Sequence, residues 1–109
     1  MNCVYITKAN KFLPNTPIDN DQMEAFLGKI NEAASRAKRV VLRNNGIQTR
    51  YYALDTQGNP THTNTELTCL AIEGLLDERF RAEDIEVLSC GTSTPDTLLP
   101  SHAAMVHGL

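Results

Sequence analysis

The run Ile85-Glu86-Val87-Leu88-Ser89 constrains this chain more than any other segment. Its β-branched and apolar residues favour extended backbone. Apart from Glu86 it does not alternate polar with apolar, so it reads as a strand covered on both faces. Such a strand needs a layer of structure above it and another below. In a chain of 109 residues few elements are free to supply both.

The remaining segments are expected to provide what cover there is. Val4 to Thr7 is β-branched and aromatic, and reads as a first strand. A loop with Pro14 and Pro17 follows, and Asp19 or Asn20 can cap the next helix. Met23, Phe26, Leu27 and Ile30 recur at helical spacing, and Ala33, Ala34 and Ala37 carry helix propensity onward. Val40 to Leu42 continues the element to Asn44-Asn45-Gly46, where Gly46 can take positive φ and stop it. Gln48 to Leu54 reads as extended, and Asp55 to Pro60 as a turn.

Thr63 with Glu66 three residues on forms a capping box. In the helix behind it Leu67, Leu70, Ala71 and Leu75 recur at helical spacing, and the helix is expected to reach Asp77 or Phe80. After the Ile85 to Ser89 strand, Gly91 to Leu99 is a loop. Pro100 is placed in the first turn of a last helix holding Ala103, Ala104 and Val106.

Strand, helix, strand-like segment, helix, strand, helix is the order of a layered α/β fold with a mainly parallel sheet. The last helix reaches Leu109 within about two to three turns of its start. That ending and the uncovered central strand make residues 1–109 the expected part of a larger domain.

A formal net charge of -3 argues against nucleic acid and anionic lipid as partners. Arg36, Lys38, Arg39 and Arg43 still form a local basic cluster. A solvated face accounts for it, or an anionic cofactor or carrier does. The apolar runs are too short to span a bilayer. The N-terminus lacks the pattern of a secretory signal, which makes the cytoplasm the expected compartment. Cys3, Cys69 and Cys90 are widely spaced, form no CxxC pair, and read as buried structural thiols. His102 and His107 lie five apart on one helix, whereas metal pairs favour three or four. No resident metal or cofactor is expected.

Three stretches resemble the N-terminal part of the β-ketoacyl-acyl carrier protein synthase III family of condensing enzymes. The first is Phe12-Leu13-Pro14 with Ile18-Asp19-Asn20. The second, Asn44-Asn45-Gly46-Ile47-Gln48-Thr49-Arg50, is similar to the family's Arg-Thr-Gly-Ile-x-x-Arg. The third runs from Asp84-Ile85 through Gly91-Thr92-Ser93-Thr94-Pro95-Asp96 to Pro100-Ser101-x-Ala103. Together, in order, they cover nearly the whole chain.

The resemblance implies a thiolase-like fold and a decarboxylating Claisen condensation. A cysteine takes the acyl group from a thioester. A His and an Asn then assist loss of carbon dioxide from malonyl carrier protein. In the family these residues lie beyond the Pro-Ser helix, and Cys3, Cys69 and Cys90 match none of them. The implied partners are an acyl carrier protein and a second copy of the chain. Arg50 matches the motif's second Arg and is a candidate for a phosphate or an acidic carrier, with a structural salt bridge as its plain alternative. Asn44 and Val40 stand where members that use acetyl-coenzyme A have Arg and Trp, which favours a carrier-bound donor. Leu99 stands where the family often has a bulky aromatic reaching the partner's acyl pocket, and its plain reading is a loop leucine packed locally. Two other readings stay open: a non-catalytic partner of a condensing enzyme, and a small α/β binding module ending at Leu109.

Overall fold

The structure, a computed structural model, describes residues 3–109. Two units make up the chain. One comprises Leu13–His62, and the other joins Met1–Phe12 to Thr63–Leu109.

In the first unit the chain pairs Ile18–Asp19 (β1) with Thr49–Arg50 (β2), antiparallel, with Ile18 opposite Arg50 and Asp19 opposite Thr49. Ile18, a member of this pair, is buried. Side chains fasten the loop before β1. Asn15 sits at φ 57°, and its Nδ2 donates to the Tyr52 carbonyl at 2.7 Å and to Thr61 Oγ1 at 2.9 Å. Asp55 closes the expected turn by accepting from the amides of Gln57 and Asn59, both at 2.8 Å.

The helix expected from Met23 onward is two shorter ones, α1 (Met23–Leu27) and α2 (Lys38–Asn45). Gly28 takes φ 77°, and Asn31 and Glu32 are also left-handed, so the i to i+4 ladder cannot pass through residues 28–32. Ile30 therefore leaves the apolar stripe and is 84% exposed. Asp19 does accept from the amides of Asp21 and Gln22, at 2.9 Å each, but this turn precedes α1. Gly46 ends α2 at φ 66°, as its position implies.

The second unit is built on α3 (Asn64–Glu73) and α4 (His102–Gly108). The Thr63–Glu66 capping box is present: Thr63 Oγ1 accepts from the Glu66 amide at 3.1 Å, and Glu66 accepts from the Thr63 amide at 2.7 Å. α3 stops at Gly74, short of the expected Asp77, because the amides of Leu75 and Leu76 turn back to Ile72 and Glu73. Ser101, not Pro100, caps α4, and Pro100 lies just before the cap. Val106 is buried, and its carbonyl meets the Cys69 thiol at 3.7 Å. Residues 3–12 run along the end of α3, where Asn10 Nδ2 donates to the Ala71 carbonyl at 2.8 Å and Lys8 pairs with Asp77.

The expected strands Val4–Thr7 and Ile85–Ser89 pair with nothing among the described residues. Val4, Ile6 and Val87 are 95%, 92% and 83% exposed. A strand forms only when a neighbour takes up its amides and carbonyls, and within residues 3–109 no neighbour does. No helix among the described residues is long and apolar enough to cross a membrane.

Two outcomes are expected. The isolated 109-residue chain exposes enough apolar surface to bind a hydrophobic dye and to melt over a broad range; a sharp, cooperative melt of a strict monomer contradicts this. Replacing Thr63 by Ala removes the cap at a cost of about 1 kcal/mol, so the Glu66 amide exchanges about fivefold faster, while Thr63→Ser leaves its rate unchanged.

Candidate functional site

Two places in the chain gather chemistry-bearing side chains, one in each unit. In the unit of residues 13–62, α2 forms one wall of an open groove of about 610 Å³. Lys38, Arg39 and Arg43 lie along it, with Gly46 and Gln48 at its end. Lys38 is 3.7 Å from Glu24, whose other carboxylate oxygen accepts from the Ser35 amide at 2.9 Å. The Ser35 amide, with help from Lys38 and Lys29, holds the Glu24 carboxyl below its ordinary range. Arg39 and Arg43 have no ion pair within 4.0 Å among the described residues, and with Asp21 and Glu24 also lining the groove its basic side chains only slightly outnumber its acidic ones. Such a wall can receive a phosphate or a carboxylate.

Arg50 does not line this groove but bonds to two residues that do. Its Nη2 donates to Asn20 Oδ1 and to the Ile47 carbonyl, the latter at 3.4 Å. Its Nη1 is buried with no hydrogen-bond partner, and Arg50 makes no ion pair among the described residues. The salt bridge offered as its plain reading is thus absent, and the guanidinium ties β2 to the turn after β1.

In the other unit, the loop of residues 91–99 is fastened to the first turn of α3. Asp96 accepts from the amides of Asn64 and Thr65, both at 2.8 Å, and from the Thr65 hydroxyl. Asn64 Nδ2 donates back to Thr92 Oγ1 at 2.8 Å and to the Thr94 carbonyl at 2.7 Å. The amides of a helix's first turn have no partner within the helix and carry the positive end of its dipole, so a carboxylate suits them. The Thr65 hydroxyl, the two amides and the nearby His102 ring hold the Asp96 carboxyl below its ordinary value of 3.8.

One turn along α3, Thr68 Oγ1 donates to the Asn64 carbonyl at 3.0 Å and lies 2.9 Å from His102 Nε2. Thr68 has one hydroxyl proton, already given to Asn64, so Nε2 must carry the hydrogen of the second bond. The other ring nitrogen, Nδ1, is buried with no hydrogen-bond partner among the described residues. His107 is exposed on the same helix, and the two histidines do not share a site.

Between the Asp96 and His102 anchors the chain presents Leu98 and Leu99, 89% and 86% exposed. Leu99 thus has little packing within its own loop among the described residues. Asp96, Asn64, Thr65 and Thr68 were not singled out as site residues in the sequence. Asp96 falls in the Thr94-Pro95-Asp96 part of the third family-like stretch, but nothing local marks its contact with a helix start some thirty residues earlier.

The cysteines are spread apart. Cys3 is exposed and Cys69 and Cys90 are half-buried, so Cys3 departs from its expected burial. Cys69 lines a cavity of about 610 Å³ with Ile72, Leu76, Ile85, Leu88 and Val106. Burial, then Glu73, Cys90 and Glu66, push its thiol up. That is the reverse of what an activated nucleophile requires.

No protein-family model matches the chain. Among the curated proteins it resembles are two named ones. One is β-ketoacyl-[acyl-carrier-protein] synthase III 1 of Lactiplantibacillus plantarum, 28% identical over 101 residues, which is 93% of this chain and 28% of that protein. The other is β-ketoacyl-[acyl-carrier-protein] synthase III of Dinoroseobacter shibae, 28% identical over 102 residues, again 93% of this chain and 28% of the relative. The chain therefore spans under a third of the length of these relatives, and a synthase III-like relationship is what the similarity supports.

Two measurements check these assignments. With iodoacetamide near neutral pH, Cys3 is alkylated first and Cys69 last, read by peptide mass spectrometry; Cys69 reacting first contradicts its placement. Because the folded Asp96 pKa is lowered, its anchor is fully made above the unfolded value of about 3.9 and is lost as pH falls through the lower folded value. The Thr65 amide resonance is expected to titrate with a midpoint below 3.8, and a midpoint at or above 3.8 contradicts the anchor.

Proposed function

We propose that this chain is the N-terminal part of a longer condensing enzyme with a thiolase-like, layered α/β fold and a mainly parallel sheet. In that reading Val4–Thr7 and Ile85–Ser89 become strands by pairing with chain outside residues 1–109. The reaction joins an acyl thioester to malonyl carrier protein. A thiolate displaces the donor's thiol to form an acyl-cysteine. Malonyl carrier protein loses carbon dioxide, and the carbanion left behind attacks the acyl carbon and expels the thiolate. The nucleophile and its helpers lie outside residues 1–109. The observation that carries the reading is the likeness to two synthase III enzymes along 93% of this chain, in keeping with the motifs at Asn44–Arg50 and Asp84–Ala103.

Three features of the chain take roles in it. The basic wall of α2 meets the anionic part of the donor or an acidic acyl carrier protein. Arg50 supports that wall through Asn20 and Ile47, and contacts the donor itself only if Nη1 turns outward. Leu99, exposed at the entry to α4, reaches the acyl pocket of the partner in a homodimer. A leucine leaves that pocket deeper than an aromatic ring does, which favours medium or longer acyl donors over acetyl.

The test uses the whole protein with octanoyl or acetyl thioesters and malonyl carrier protein. Carbon dioxide release coupled to formation of a β-ketoacyl product is expected, with a higher kcat/KM for octanoyl. Leu99→Phe fills the pocket, and each methylene it excludes lowers the octanoyl-to-acetyl ratio about fourfold, from about 0.8 kcal/mol of burial. A whole protein that never condenses overturns the reading and leaves a non-catalytic partner role; an unchanged ratio removes Leu99 from the pocket.

A further inference from the structure

We propose that Asp96 is a positioning residue that sets acyl-donor selectivity by fixing the loop that presents Leu99. The inference rests on the function proposed above and names the device by which its selectivity is held. α3 offers two anchor points, Thr65 and Thr68, three residues apart and so on one face of the helix. The loop reaches the first through Asp96, which takes both the Asn64 and Thr65 amides and the Thr65 hydroxyl. The chain returns to the second through His102, buried on Thr68 at 2.9 Å.

The five residues between the anchors, 97–101, carry Leu98 and Leu99 outward and end in the Ser101 cap of α4. An exposed side chain has no packing of its own to fix where it points. Its position must come from the backbone on either side. Within the span, Thr97 Oγ1 reaches only the Pro100 carbonyl at 3.5 Å and Met105 Sδ at 3.4 Å, both weak contacts. The charge-assisted bonds of Asp96 are stronger than these, and they hold the upstream end of the span. A shift of the order of 1 Å in a group that lines a binding pocket is enough to change discrimination between substrates. Asp96 touches no reacting atom and acts through Leu99.

The experiment compares the whole protein with its Asp96→Ala, Thr65→Val and Thr65→Ser forms. Two quantities are read: the octanoyl-to-acetyl ratio of kcat/KM, and hydrogen exchange of the amides of residues 92–99. Asp96→Ala is expected to speed exchange across the loop and to move the ratio toward one by about fivefold. Thr65→Val, which deletes one hydroxyl and nothing else of the anchor, is expected to move both in the same direction by less. Thr65→Ser keeps the hydroxyl and is expected to retain the wild-type ratio. An active enzyme in which Asp96→Ala loosens the loop but leaves the ratio unchanged overturns the proposal and leaves the function standing. Should Asp96→Ala fail to fold, an unchanged ratio in a folded Thr65→Val with faster loop exchange overturns it equally. A wild-type protein without condensing activity overturns the function and the proposal together.

Discussion

The carboxylate of Asp96 on the first turn of α3 is the interaction on which the Thr63–Leu109 segment depends. A helix begins with amides that its own carbonyls cannot reach, and Thr63 and Asp96 divide that task. Thr63 with Glu66 takes the local share, within four residues of sequence. Asp96 takes the rest from about thirty residues away, and in doing so turns a helix cap into a tertiary contact. Remove it, and the Asn64 side chain still ties the loop of residues 91–99 to α3.

The Leu13–His62 unit is held by the same kind of force. Asn15, Asp19, Asn20 and Asp55 each bind backbone or side-chain groups that short strands and turns leave unmet. Ile18 supplies its buried apolar anchor. Polar ties of this sort contribute roughly 0.5–1.5 kcal/mol apiece, whereas ordering the backbone costs about 1–2 kcal/mol per residue. Val4, Ile6, Val87, Leu98 and Leu99 add little apolar burial to this balance, because they find no cover among the described residues.

The candidate site divides along the same line. The basic groove on α2 was visible as a cluster of Arg36, Lys38, Arg39 and Arg43, because helical spacing alone puts such residues near one another. Leu99 was marked by its place before Pro100-Ser101. The exposure that gives it a surface to act with is a property of the folded loop. Arg50 was marked by a motif, and the fold turned it inward onto Asn20 and Ile47. His102, read only as half of a poor metal pair, proves to be a buried link to Thr68.

What the sequence by itself determined is what depends on neighbours in sequence: the Thr63–Glu66 capping box, the Gly46 stop of α2, the Asp55 turn and the helix after Ser101. Each needs only residues within about four positions, and side-chain chemistry suffices to write it. Tertiary structure decided what depends on distant partners. Of the two strands among the described residues, Thr49–Arg50 lies within the extended Gln48 to Leu54 segment, whereas its partner Ile18–Asp19 stands where a helix cap is expected and is a strand only through that pairing. Val4–Thr7 and Ile85–Ser89 have the propensity and no neighbour, and propensity does not pair a strand. The break at Gly28 to Glu32 and the reach of Asp96 to Asn64 and Thr65 were decided there too. In both, residues of ordinary local preference take conformations and contacts set by where the rest of their unit places them.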